Sequence, residues 1–178
     1  MSLDLRDERQ ADRPAIAEVI AAAFEGEDEV RLVERLRRDG DVLVALVAVA
    51  VADDAVVGHI LFSPLTVTRG AESIPAVALA PLAVAPGRQG EGIGTALVRE
   101  GLACCQRAGM ALVVVLGDPA YYRRFGFAAA TARPLQAPFS GKAFMALALT
   151  PEGESETPAR VGYAAAFGLD ETPAPTAI

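Results

Sequence analysis

Apolar residues recur every three or four positions in three segments, which is the spacing of one face of an α-helix. The first segment begins near Pro14, a residue favoured in a first helical turn, and the second stops at Gly40. The third begins near Gly92 and stops at Gly109. The predicted inward positions are Ile16, Val19, Ile20, Ala23 and Phe24 in the first helix, Leu32, Val33 and Leu36 in the second, and Ile93, Leu97, Gly101 and Cys104 in the third.

Runs of β-branched and apolar residues around these helices predict strands. Asp118 followed by Pro119 predicts a further short helix at 119–125. The element order is that of a mixed α/β protein, and it lacks the strict strand–helix alternation of a doubly wound parallel sheet. The predicted strands lie around 5–9, 42–52, 55–63, 74–84, 111–116, 127–131 and 142–149, with a further candidate at 160–166.

Composition and charge narrow the class of protein. The 178 residues are 52% hydrophobic, which predicts one soluble globular domain. The 16 basic and 23 acidic residues give a net charge of −7 without a basic block, so no nucleic-acid partner is expected. The charged N-terminus lacks a signal-peptide pattern and the run at 42–52 is too short to cross a bilayer, which predicts a cytoplasmic protein without a membrane partner. Adjacent Cys104 and Cys105 and the single His59 lack metal-site spacing, so no metal is expected.

A glycine-rich turn between the strand at 74–84 and the third helix is the most specific chemical signal. Such a turn offers backbone N–H groups to a phosphorylated ligand at the positive end of a helix. A Walker loop requires Lys followed by Ser or Thr, and that pair is missing. A dinucleotide fingerprint would place a glycine where Thr95 stands. The remaining pattern is Q-x-x-G-x-G, formed by Gln89, Gly92 and Gly94.

This loop and a second motif resemble the GNAT superfamily of N-acetyltransferases. Tyr122-Arg123-Arg124-Phe125-Gly126-Phe127 matches the Y-x-x-x-G-F signature downstream of a further strand. The resemblance covers roughly residues 5–149, and Gly117–Tyr122 looks like a bacterial branch of predicted acetyltransferases with undefined substrates. It implies a single-domain α/β fold whose mixed, mostly antiparallel sheet splays between its fourth and fifth strands and is flanked by helices.

The resemblance also implies the domain limits. An N-acetyltransferase domain is expected at 1–149, followed by a C-terminal extension at 150–178 with one candidate strand and a frayed tail at Glu171–Ile178. Pro81 removes a ladder donor from the fourth strand, which indicates a bulge, a splayed neighbour or an edge position. The splay is the interpretation that the resemblance favours.

By the same resemblance, the co-substrate is acetyl-CoA, whose pyrophosphate the loop binds. Glycines permit close approach of the backbone and unusual φ angles. Arginines near the loop are expected to pair with CoA phosphates, although a solvated surface charge is the alternative for each. The predicted cofactor-binding residues are Leu82, Ala83, Val84, Arg88, Gln89, Gly90, Gly92, Gly94, Thr95 and Arg124.

Acetyl transfer to an amine requires a base, an oxyanion donor and an acid for the departing thiolate. Tyr122 is the candidate acid, with a packing role as its alternative. Glu29 at the start of the second helix and His59 in a strand are the candidate bases; a helix-stabilising acid and a structural histidine are their alternatives. Transfer through an ordered water without a dedicated base stays open, as does Ser63 as a substrate contact.

The sequence thus predicts an acetyl-CoA-dependent N-acetyltransferase that acts by direct transfer to a primary amine of a small molecule or a protein. A non-catalytic acyl-CoA-binding sensor is the alternative, and a scaffold that has lost the cofactor is a third hypothesis. The family resemblance also allows a homodimer. The sequence does not identify the acceptor.

Overall fold

The computed structural model of the chain describes residues 2–169, which form two compact units. Within these residues, the first unit comprises 2–64 and Leu79–Gly109, and the second comprises Leu65–Ala78 and 110–169. The division falls within two long strands that are neighbours in the sheet, so each of these strands contributes to both units.

The first unit contains an antiparallel ladder and three helices. In the ladder, Leu3 lies opposite Ala50 and Val47 lies opposite His59. The four strands of this ladder are neighbours in the same order as in the sequence, and short turns join the second to the third and the third to the fourth. The strands are β1 (Leu3–Asp7), β2 (Val44–Ala50), β3 (Ala55–Arg69) and β4 (Glu72–Val84), and the helices are α1 (Arg13–Phe24), α2 (Asp28–Asp39) and α3 (Ile93–Arg107).

The inward faces predicted for the three helices are largely as observed. Phe24 differs, because it ends α1 and is 41% exposed. Leu32 is only half-buried, and Val30 takes its place in the buried stripe of α2. In α3 the buried thiol is that of Cys105, whereas Cys104 is half-buried. The buried residues are Ile16, Val19 and Ile20 in α1, Val30, Val33 and Leu36 in α2, and Ile93, Leu97, Val98, Gly101 and Cys105 in α3.

Two glycines allow α3 to lie close to β3. A Cβ on Gly58 of β3 would lie 2.9 Å from Cγ2 of Ile93 and from Cδ1 of Leu97. A Cβ on Gly101 of α3 would overlap the ring of Phe62, which is fully buried in β3. The helix is therefore seated on the sheet at both its first and its third turn.

In the second unit, one central strand has a parallel neighbour on one side and an antiparallel neighbour on the other. β5 (Leu112–Leu116) runs parallel to β4, and their register comprises three residue pairs, from Ala76–Leu112 to Ala78–Val114. β7 (Phe144–Ala148) pairs antiparallel along the length of β5. The short β4–β5 ladder agrees with the predicted splay. Pro81 follows it in β4, and the peptide bond between Ala80 and Pro81 is cis.

One predicted strand is wrong. Residues 127–131 were expected to form a strand, but a short helix, α5 (Ala129–Ala132), occupies most of this segment. Alanine dominates the run and is the strongest helix former, so local propensity favours a turn of helix. Ala128 alone retains a strand-like bridge, to Ala146. The predicted helix at 119–125 is confirmed as α4 (Pro119–Tyr122) followed by a 3₁₀ turn at Arg123–Phe125.

The segment after residue 149 packs into the second unit. β8 (Ala159–Gly162) is shorter than the candidate strand at 160–166, and it pairs antiparallel with β3 and parallel with β6 (Leu135–Gln136). The tail Glu171–Ile178 lies outside the described residues. The division into 1–149 and 150–178 stays a prediction, whereas the mixed, mostly antiparallel α/β fold is confirmed.

A substitution at Gly153 tests how much the packing of the segment after residue 149 contributes to the stability of the fold. Its Cβ would overlap the carbonyl oxygen of Ala111, a backbone atom that cannot move aside without disturbing the start of β5. Gly153→Ala is expected to lower the free energy of unfolding by roughly 1–3 kcal/mol, the usual cost of overpacking. At about 2–4 °C per kcal/mol for a chain of this size, calorimetry would register the loss as a lower Tm.

Gly162→Ala is the matched control, because a Cβ there would meet only Thr66 at an ordinary 3.6 Å. Equal Tm values for the two variants would show that the segment yields locally and does not depend on this contact.

Candidate active site

The glycine-rich loop joins β4 to α3 through a 3₁₀ turn at Pro86–Arg88. Gly90 and Gly92 have φ angles of +82° and +85°, the left-handed region that other residues adopt only with strain. A Cβ at either position would meet no atom within 4 Å, so backbone conformation requires these glycines and crowding does not. Gly94 follows in the first turn of α3.

The N-terminus of α3 carries backbone donors without helical partners. The hydrogen bond from Ala96 N–H to the Gly92 carbonyl, 3.0 Å long, closes the first turn. No side chain caps this end of the helix within residues 2–169. The amides of Ile93, Gly94 and Thr95 precede that first bond, and the helix dipole adds positive potential at the same place. This arrangement suits a phosphate or pyrophosphate group.

Two polar side chains of the loop form hydrogen bonds within the loop or to the strand that precedes it. Arg88 Nε lies 3.1 and 3.2 Å from the two carboxylate oxygens of Glu91. Gln89 Nε2 donates to the carbonyl oxygen of Val84, at 3.3 Å, and so links the loop to the end of β4. Thr95 is half-buried in the first turn of α3.

The last residues of β4 alternate in burial. Leu82 and Val84 are half-buried, whereas Ala83 is buried and its carbonyl oxygen faces Gly58 of β3. The side of β4 that bears Leu82 and Val84 is therefore the more accessible one.

Tyr122 lies in the second unit, at the end of α4. Its ring packs against Gly117, where a Cβ would collide with it, and forms edge-to-face contacts with Tyr121 and Phe127 at centroid distances of 5.0 and 5.7 Å. The side chain is 9% exposed, and burial raises its pKa to about 12. The proton therefore stays on the phenol throughout the neutral range.

Arg124, in the 3₁₀ turn that follows α4, is held by Tyr121 of that helix. Its guanidinium lies over the Tyr121 ring, 4.5 Å from the centroid, and its Nε donates to the Tyr121 carbonyl oxygen at 3.2 Å. The side chain is exposed. Arg124 and Tyr122 thus share one aromatic cluster in which Tyr121 is the common neighbour.

The two candidate bases differ in accessibility. Glu29 is half-buried in the first turn of α2, beside the buried Val30. His59 has no exposed surface, and its Nε2 lies 2.8 Å from a carboxylate oxygen of Glu8. Glu8 in turn receives two hydrogen bonds from Arg37, each 2.8 Å long.

Burial and the contacts within this Arg37–Glu8–His59 cluster shift the pKa values of Glu8 and His59. Burial lowers the pKa of His59 from 6.5, an effect that Arg37 reinforces and Glu8 opposes. Burial alone would raise the pKa of Glu8, but the hydrogen bonds from His59 and Arg37 lower it to about 2. His59 is therefore a neutral imidazole whose Nε2–H donates to a carboxylate. Its buried Nδ1 has no hydrogen-bond partner within residues 2–169.

A family model described as an acetyltransferase (GNAT) domain matches residues 4–130. The chain belongs to the GNAT acetyltransferase family. The recognition made from the loop and the Y-x-x-x-G-F signature is thereby confirmed, as is the predicted class of enzyme, an acyltransferase.

Relatives of this acetyltransferase are known in sequence and in structure. The uncharacterized N-acetyltransferase YhbS of Escherichia coli K12 is 40% identical over 139 residues, which are 77% of this chain and 80% of YhbS. The crystal structure of E. coli YhbS in complex with CoA superposes with a TM-score of 0.83 at 36% identity, covering 94% of this chain and 92% of that one. A GNAT acetyltransferase from Brucella melitensis in complex with acetyl-CoA gives 0.76 at 38% identity, covering 93% and 98%.

Over residues 2–169 of the acetyltransferase, no helix has the length and hydropathy needed to span a membrane. In the same residues, no three His, Cys, Asp or Glu side chains come together as a metal site would require.

Sequence reasoning missed Glu8, Arg37 and Gly117. Glu8 and Arg37 join His59 in one cluster, although they lie 51 and 22 residues away from it in sequence. Nothing in their local sequence pattern marks them as buried. Gly117 had a signal, because it opens the Gly-Asp-Pro segment that leads into α4. Its function as the surface on which Tyr122 packs becomes visible only in the structure.

His59 predicts a specific dependence of stability on pH. Because the pKa of the folded imidazole lies below the 6.5 of the unfolded one, the unfolded state binds more protons, and the free energy of unfolding is expected to fall as pH drops through 6.5. Glu8 acts with the same sign at lower pH, since its stabilisation is present above about 4.5 and is lost as pH approaches 2. Because His59 is the only histidine, its ring signal in an NMR titration reports this directly.

A ring signal that titrates at pH 6.5 in the folded protein would contradict the neutral assignment. His59→Gln is the companion variant, and it should flatten the change of stability between pH 7 and 5.

Proposed function

We propose that this chain transfers the acetyl group of acetyl-CoA to a primary amine of a small molecule or a protein. The observation that carries the proposal is the uncapped N-terminus of α3 behind Gly90 and Gly92, both left-handed, in a member of the GNAT family. The CoA and acetyl-CoA bound in YhbS and in the Brucella enzyme support this co-substrate.

The donors of the loop fit a pyrophosphate. The amides of Ile93, Gly94 and Thr95 bind its oxygens, and Thr95 adds a hydroxyl to the same turn. Arg88 contributes positive charge once it is released from Glu91. Gln89 and Gly90 shape the loop.

The end of β4 supplies the backbone for the remainder of the co-substrate. Leu82, Ala83 and Val84 offer amide and carbonyl groups to the pantetheine arm in the manner of a neighbouring strand, and an amide near Val84 stabilises the oxyanion. Arg124 is proposed to contact a CoA phosphate from its position over Tyr121.

Acetyl-CoA supplies the acetyl group and departs as a thiolate. The amine nitrogen forms the new bond to the acetyl carbon, the carbon–sulfur bond breaks, and the proton lost by the amine finally resides on the sulfur. Tyr122 donates a hydrogen bond to that sulfur as negative charge develops on it, and it keeps its own proton. Its phenol, which burial keeps protonated by raising the pKa to about 12, supports this function.

Glu29 is the better candidate for the base. It is accessible at the start of α2, whereas His59 is enclosed and bonded to Glu8. We assign His59 a structural function within the Arg37–Glu8–His59 cluster. A water molecule that carries the proton from the amine to Glu29 is compatible with this assignment.

Turnover is measured as CoA released from acetyl-CoA in the presence of a panel of primary amines. Wild-type protein is expected to release CoA with at least one amine. Tyr122→Phe should lower kcat roughly 100-fold, the usual scale for loss of a general acid, while acetyl-CoA affinity changes less than about twofold. Phenylalanine keeps the ring that packs on Gly117, so the fold should persist.

Tyr121→Phe is the matched control, one residue away in the same cluster, and its turnover should stay within a few-fold of wild type. Tight binding of acetyl-CoA without release across a broad panel would favour the acyl-CoA sensor over the enzyme. Undiminished turnover of Tyr122→Phe would remove Tyr122 as the acid.

Gly92→Val tests the loop. Valine at a φ of +85° is strained by roughly 1–3 kcal/mol, so the loop should shift and the dissociation constant for acetyl-CoA should rise about tenfold or more. Isothermal titration calorimetry measures the change. Gly87→Ala in the same loop has open space and an ordinary φ, and it should bind as wild type does. Equal affinity in both variants would argue against the loop as the phosphate site.

A further inference from the structure

An acidic residue stands inside the proposed phosphate loop. Glu91 lies between the two left-handed glycines, Gly90 and Gly92, and directly precedes the N-cap of α3. Its carboxylate accepts from Arg88 Nε at 3.1 and 3.2 Å. A negative charge is thus placed where the proposed function requires an anionic ligand to bind.

We propose that Glu91 is a built-in competitor of the CoA pyrophosphate, which holds Arg88 until the ligand displaces it. The inference rests on the proposed function of the loop. Two effects follow from one side chain: Glu91 occupies the cation that the ligand needs, and its charge repels the incoming phosphates. Glu91 is therefore a residue that sets the affinity for CoA.

The geometry allows this exchange at little cost. The side chains of Arg88 and Glu91 are 30% and 40% exposed, and an exposed pair adds little to stability because water screens it. The buried pair of Arg37 and Glu8 differs, since its side chains are only 10% and 12% exposed. Arg88 can therefore leave its carboxylate without disturbing the fold, whereas Arg37 cannot.

A matched pair lies on the same helix. Glu100, at the middle of α3, and Arg107, its last residue, are joined at 3.0 Å, with exposed side chains and the same chemistry. This pair is far along the helix from the amides of its first turn, so removing its carboxylate should not change binding of CoA.

The experiment compares dissociation constants for CoA in the full chain. Glu91→Gln keeps the size of the side chain and removes its charge, and it should bind CoA about three- to tenfold more tightly, the scale of one charge at a helix N-terminus. Added salt should shrink this gain, because both effects are electrostatic. Glu100→Gln should bind as wild type does. Unchanged or weaker binding by Glu91→Gln would overturn the proposal.

A double-mutant cycle with Arg88→Gln separates competition from simple repulsion. If Glu91 acts by holding Arg88, the gain from Glu91→Gln should be markedly smaller in the Arg88→Gln background. An equal gain in both backgrounds would show that Glu91 only repels, and would overturn its function as a competitor for Arg88.

Ligand fragments locate the effect. The gain should persist with dephospho-CoA, which keeps the pyrophosphate, and vanish with pantetheine, which has no phosphate. A gain that persists with pantetheine would overturn the proposal. If wild-type protein binds none of these ligands, the proposed function itself fails; if it binds CoA and Glu91→Gln gives no gain, only the competitor fails.

Discussion

The close approach of α3 to β3 is the constraint on which the proposed phosphate loop depends. Gly58 leaves room for Ile93 and Leu97, and Gly101 leaves room for the ring of Phe62. Ile93 is the first residue of α3, so the contact that seats the helix also fixes the end that carries the unpaired amides. Side chains at these two glycines would push the helix away from the strand, and the donors of its first turn would move with it.

Local signals in the sequence were sufficient for the loop and for the segment around Tyr122. Glycine spacing, the preceding apolar strand and the Y-x-x-x-G-F signature each depend on residues that are close in sequence, and the structure has the loop and α4 where those signals indicated. The alanine-rich segment at 127–131 was misassigned, because apolar character alone does not separate a strand from a turn of helix. There, helix propensity determined the outcome and produced α5.

The Arg37–Glu8–His59 cluster could not have been predicted in this way. Its members come from α2, from the residue that follows β1 and from β3, and only the folded sheet brings them together. A histidine between Gly58 and Ile60 has the same local pattern whether it serves as a base or as a buried donor. Burial and the bond to Glu8 favour the structural interpretation, since a base that accepts a proton from substrate needs access that this imidazole lacks.

In the proposed reaction, the packing that orients Tyr122 also limits how it would assist the departing thiolate. Asp118 accepts from Ala120 N–H and fixes the first turn of α4, and Gly117 then receives the ring. The same burial raises the pKa of the phenol to about 12, well above the ~8.5 of an ordinary thiol. Complete protonation of a free thiolate by this phenol is therefore uphill, and its contribution must come while charge is still developing on sulfur. A charge-assisted hydrogen bond that strengthens as the carbon–sulfur bond breaks stabilises the transition state more than the bound substrate.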